Sequence, residues 1–180
     1  MRLRHAAFAV LLIAPMGALT ASPAANPQAD PTGEWLVAKR VARIKIVNCN
    51  DRLWGVVSWE SEHGVDGNNP DPALRTRPTL GMPILLGMTR TKPNEWSGEI
   101  YNAEDGRKYA SKISLLNPNL LQVQGCVLGI LCGGENWTRV GAPAIASPAS
   151  KAATKTESPP PSSDDALCLR IAGAAGRNRR

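Results

Sequence analysis

From Gly33 to Val140 apolar residues tend to recur at every second position, the period of a strand with one buried face and not the 3.6 of a helix. Ile44 and Ile46 alternate with Arg43 and Lys45, while Leu53, Val57 and Trp59 share one parity against Ser58 and Glu60. Trp96 and Ile100 alternate with Glu95, Ser97 and Glu99; Tyr109, Ile113 and Leu115 alternate with Lys108, Lys112 and Ser114; Leu121 and Val123 alternate with Gln122 and Gln124. Turn chemistry separates the runs at Asn50-Asp51, Lys92-Pro93-Asn94, Asp105-Gly106 and Asn117-Pro118-Asn119, and Asp-Gly between two alternating runs is a strong hairpin signal. The pattern predicts about eight strands, over 33–39, 42–49, 52–60, 82–90, 95–102, 107–116, 119–125 and 134–140.

No window carries a long amphipathic helix. Short strands with tight turns favour an antiparallel meander, and eight of them can close on themselves, which removes exposed sheet edges. The expected fold is all-β: an eight-stranded antiparallel up-and-down barrel. Its interior would be filled by side chains or hold one small ligand; a flat sandwich has the same periodicity. Two connections exceed tight turns. Ser61–Gly81 is long enough to suggest a functional loop or lid. The apolar stretch from Cys126 to Gly133 reads as a plug at one end.

The ends differ from this middle zone. Arg2, Arg4 and His5 precede an apolar run of nine residues, Ala6–Ala14, broken by Pro15 and Gly17 and followed by small residues through Ala21. That is the layout of a secretory signal, and the run falls far short of the roughly 20 residues of a membrane-spanning helix. The expected organisation is signal peptide over 1–21, linker over 22–32, barrel domain over 33–140 and a disordered Ala/Pro/Ser-rich tail over 141–180. A short helix over Ala166–Arg180 is the one element that tail could form. The protein is expected in the periplasm or secreted.

The formal net charge of +6 invites a nucleic-acid reading, but residues 22–140 carry 13 basic and 12 acidic side chains. A nucleic-acid binder concentrates positive charge on its fold; none is expected here as a partner. Four cysteines remain, and export places them where disulfides persist. Cys126 and Cys132 lie six positions apart beside Gly125, Gly129 and Gly133, and a bridge between them would contribute roughly 2 kcal/mol by loop-closure entropy. No C-x-x-C or C-x-x-C-H occurs, which removes the usual marks of thioredoxin-like chemistry and c-type haem.

Three segments, Asn69–Pro78, Trp96–Gly106 and Gly125–Gly133, resemble the signature motifs of domain of unknown function 2147. The likeness spans about Gly33 to Val140. It implies a secreted bacterial protein with a lipocalin-like barrel and an internal cavity, and it implies no reaction. Proteins of that type often carry a second cysteine where Trp54 stands, so Cys49 is either a buried thiol or a partner for Cys168. Gly33-Glu34-Trp35 is also similar to the Gly-x-Trp opening of lipocalins. In a closed barrel Arg139 could then lie over the face of Trp35, a contact of roughly 0.5–2 kcal/mol.

Catalytic signatures are sparse. His63 is the one histidine after the signal segment, and neither a G-x-S-x-G elbow nor a phosphate loop is present. Glu60 with Glu62, and Glu104 with Asp105, sit where solvated strand ends are the simpler explanation. The run Asp66–Asp71 lacks the full calcium-loop pattern. No enzyme activity, cofactor or metal is therefore expected. Asp71, Arg75 and Arg77 stand in a proline-stiffened stretch. Either one guanidinium is free to take an anionic ligand group, or Asp71 ties one arginine and the other binds backbone carbonyls. Trp35, Trp59, Trp96 and Tyr109 fall on the inward parity, where they line a cavity or fill a core. The two function classes are a periplasmic module binding a small apolar or amphipathic ligand, with Arg75 or Arg77 near the mouth, and a non-catalytic envelope scaffold with a filled barrel.

Overall fold

The computed structural model describes residues 29–127, 131–141 and 162–177. Eight antiparallel strands, β1 (Gly33–Leu36), β2 (Ala42–Cys49), β3 (Arg52–Glu60), β4 (Pro83–Lys92), β5 (Glu95–Asn102), β6 (Arg107–Asn117), β7 (Leu120–Val127) and β8 (Leu131–Val140), close in chain order into one barrel. The closing seam pairs Trp35 with Arg139 and Leu36 with Thr138. The signal segment expected over 1–21 and most of the 22–32 linker lie outside the described residues.

The inward positions of one half of the barrel are packed solid. Trp35, Ile46, Leu85, Met88, Ile113 and Leu121 are all 0% exposed, so no water-sized void touches them, as in other close-packed interiors. This end also takes in Ala29–Thr32, correcting the expected linker at its C-terminal edge. Pro31 is fully buried, and the backbone carbonyls of all four residues are claimed. Arg90 donates to Ala29, Arg139 to Asp30 and Thr32, and the Trp35 indole N–H to Pro31. Both arginines also stack on core indoles, Arg139 at 4.2 Å from the Trp35 ring and Arg90 at 4.6 Å from Trp96. Guanidinium over indole is favourable, and together they form the barrel's floor.

Three further expectations are corrected. Cys126–Gly133 does not plug the barrel; its described residues extend β7 and β8 into a projecting hairpin in which Cys126 faces Cys132 and Val127 faces Leu131. Paired backbone, not burial, satisfies this segment, and Val127 and Leu131 stay 46% and 69% exposed. Trp59 does not point inward. Arg43 pairs with Trp59 and Ile44 with Val57, so Ser58 is the extra residue of a β-bulge, and a bulge reverses the facing of the residues beyond it. Trp59 therefore lies outside with Arg43 over its ring at 5.2 Å.

The tail, finally, is not disordered throughout. Helix α1 (Ser163–Arg177) packs Ile171 and Leu167 against Val47 and Val56 on the outer face of β2 and β3. A Cys49–Cys168 disulfide joins helix to strand, and Lys45 pairs with Asp164 at 3.4 Å. Ser162 caps the helix, its hydroxyl accepting from the Asp165 N–H while the Asp165 carboxylate accepts from the Ser162 N–H, a reciprocal capping arrangement. The composition argument failed here because a covalent staple and one apolar stripe supply what free chain lacks. Residues 142–161 and 178–180 lie outside the described residues.

Candidate functional site at the mouth of the barrel

The end opposite the floor carries the long β3–β4 connection, the β5–β6 turn and the projecting β7–β8 hairpin. The connection does not hang free. Asp66 is 0% exposed, and its carboxylate accepts from the Tyr101 hydroxyl at 2.6 Å, from Asn69 Nδ2 at 2.6 Å, and from Arg77 Nε and Nη2 at 3.0 and 2.8 Å. Arg77 also lies 5.9 Å from the Tyr101 ring centre. Burial, together with the hydrogen bond to the Asp66 carboxylate, pushes the Tyr101 phenol above its ordinary pKa. A buried carboxylate is tolerable only when paired and hydrogen-bonded, and this one is. Tyr101 sits on the outward parity of β5, so the network clasps the connection to the barrel's outer wall.

Neighbouring bonds tighten the clasp. Asn68 donates to the Glu104 carbonyl. A Cβ on Gly106, whose φ is +71, would fall 1.8 Å from the Asn68 carbonyl oxygen, so only glycine allows the β5–β6 turn to lie against the connection. Glu60 anchors the other side, accepting from the Thr79 hydroxyl at 2.6 Å and from the Gly64 N–H. Burial alone would raise the Glu60 carboxyl, but the bonds from Thr79, Gly64 and His63 outweigh it and hold it low.

These facts resolve the arginine alternatives. Arg77 is tied, but by Asp66; Asp71 instead accepts from the Ala73 N–H and caps the short 3-10 turn Pro72–Leu74. Arg75 Nε donates to the Asn69 carbonyl. Trp35 and Trp96 belong to the packed half beside the floor arginines, Trp59 is outside, and Tyr109 reaches only the rim, its hydroxyl bonded to Asp105. The structure thus does not gather the expected ligand-binding residues into one place. Cys126 and Cys132 are disulfide-bonded, on the outward face of the hairpin.

What sequence reading missed is the inner wall above the packed half. Register places Gly98 opposite Ser111, Ser111 opposite Gly125 and Gly125 opposite Gly133, a row of small residues on the inward parity across four strands. Met88 fills the space over Gly98, and Ile100 leans over Gly125, while a Cβ at Gly133 would meet nothing within 4 Å. One row deeper stands Glu135, which accepts from the Trp137 indole N–H at 2.5 Å. One row nearer the mouth, Ile100 pairs with Tyr109 and Val127 with Leu131. Gly133 therefore opens on free space at the mouth, here termed the bowl, with Val127 and Leu131 at its rim and the Glu135 carboxylate one row below. The visible signal was the alternation Gly133, Glu135, Trp137, Arg139, obscured by the lack of bulk at Gly133 and Gly134. Among the described residues, no three His, Cys, Asp or Glu side chains come together as a metal site would require.

A Helicobacter pylori protein, HP1028, described as belonging to the lipocalin family, superposes with a TM-score of 0.58 at 18% identity, over 63% of this chain and 84% of that one. At that identity the likeness establishes the fold. No curated protein sequence matches this chain significantly. The model of a family of uncharacterised proteins conserved in bacteria, DUF2147, matches residues 33–139. With its three motifs placed on the clasp, on β5 and its turn, and on the projecting hairpin, the chain belongs to that family, built on a lipocalin-like barrel.

Proposed function

We propose that this protein is an exported, non-catalytic binding module that holds one small amphipathic molecule in the bowl at the barrel mouth. The observation that carries the reading is Gly133, where a side chain would meet nothing within 4 Å, on the inner wall above a solid core. A deep lipocalin-type cavity is not needed, because the lower half is occupied by Trp35, Trp96 and Trp137. Ligand sites are concave and mostly apolar with few polar groups, and Ile100, Val127, Leu131 and Glu135 match that composition. Export is supported by the N-terminal layout and by two disulfides, Cys49–Cys168 and Cys126–Cys132, which persist in oxidising compartments.

Trp137 lies under the bowl, so its fluorescence reports occupancy. Titration with laurate, dodecyl maltoside and dodecylamine, each below its micelle concentration, is expected to give a saturable change with at least one probe. Gly133→Leu, whose Cβ would meet nothing within 4 Å, is expected to abolish the change while leaving the far-ultraviolet spectrum intact. A response that survives Gly133→Leu would place binding elsewhere. The packed lower half favours a second reading, an envelope scaffold that takes nothing into its barrel, and silence from all three probes would favour it.

A further inference from the structure

Resting on the bowl reading, we propose that the group selected there is cationic: an alkylammonium whose head pairs with Glu135 and whose chain lies on the apolar rim. A carboxylate pointing into a barrel is costly unless something partners it. Glu135 is only partly buried, and among the described residues its carboxylate takes one hydrogen bond, from the indole N–H of Trp137 to Oε1. Trp137 is 2% exposed and cannot swing away, so it holds the carboxylate in place while leaving Oε2 for a ligand. Among the described residues no lysine or arginine forms an ion pair with Glu135, whereas Glu60, Asp66, Glu95 and Asp164 each have a basic partner.

The surroundings agree with a cationic amphiphile. At the rim Asp105 accepts from the Arg107 backbone N–H and the Tyr109 hydroxyl, whereas Glu135 is the carboxylate within the bowl. Tyr109 stands two positions from Ser111 on the same inward face of β6, one row nearer the mouth, and an aromatic face attracts cations. Val127 and Leu131, exposed on the parity of Glu135, provide an apolar track for a chain. An ammonium donates hydrogen bonds to Oε2 with charge assistance, the strong kind; a fatty-acid head would meet like charge instead.

The same three dodecyl probes test this. Dodecylamine is expected to bind at least about tenfold tighter than dodecyl maltoside, with laurate weakest. In Glu135→Gln, whose amide oxygen can still accept from Trp137, that advantage is expected to collapse. Should this variant fold poorly, salt decides on the unaltered protein: sodium chloride is expected to weaken dodecylamine binding and leave the maltoside unaffected. Equal affinities for the three probes, or an amine advantage that survives both Glu135→Gln and salt, overturn the ammonium assignment and leave the bowl standing. Silence from all three overturns both.

Discussion

Replacing Asp66 by alanine tests whether the long β3–β4 connection is held by its buried carboxylate. The change removes the acceptor of four hydrogen bonds, from Tyr101, Asn69 and twice from Arg77. The Tyr101 hydroxyl and Asn69 amide would lose it in a buried setting, at about 1–3 kcal/mol for each group left unsatisfied. Two circumstances temper the sum. Asn69 Nδ2 keeps its bond to the Tyr101 oxygen at 3.0 Å. Arg77 has a side chain 32% exposed and regains water. The net cost comes to about 3–5 kcal/mol, typical of breaking a buried pair from one side.

The barrel need not bear that cost. Its eight strands close without the connection, so the cheaper response is local opening of residues 62–80. Hydrogen exchange read by mass spectrometry on peptides from this segment is expected to speed up by roughly two to four decades, the same energy expressed as a ratio. Peptides from β6 and β7 are expected to keep their protection. Two results would refute the reasoning: loop protection within about tenfold of the unaltered protein, or an equal loss in every strand. The first would mean the network is idle, the second that the connection and barrel unfold as one.

Alkaline pH gives an independent check on the clasp. Burial and the Asp66 bond raise the Tyr101 phenol above 10.0, so its contribution to stability is complete below about pH 10 and is lost as pH climbs toward the folded value. Denaturant midpoints at pH 8 and 11 are expected to diverge less in Tyr101→Phe than in the unaltered chain; equal divergence would count against the network. Replacing Cys49 and Cys168 together by serine is expected to release α1. Burying Ile171 contributes only about 1.5–3 kcal/mol and the exposed Lys45–Asp164 pair less than about 1, too little to order the helix. Helical circular dichroism should fall while the near-ultraviolet tryptophan signal of the barrel persists, and retained helix content would show that the staple is dispensable.

Local pattern determined a great deal by itself. Alternation and turn residues placed eight strands in antiparallel order, because side-chain facing in a strand repeats every second residue whatever surrounds it. The neighbourhood of Trp35 and Arg139 followed from that order alone, since a meander that closes must bring its first and last strands together. Tertiary structure decided what a period-two reading has no means to represent. The Ser58 bulge turned Trp59 outward, and nothing local distinguishes it from Val57. Asp66 rather than Asp71 took Arg77, because the choice between two carboxylates depends on which one the folded connection buries against Tyr101. Cys168 found Cys49 across most of the chain, and the bowl arose only when register aligned Gly98, Ser111, Gly125 and Gly133. Strands are written by neighbours in sequence, whereas bulges, buried pairs and open space belong to groups that meet only after the sheet has closed.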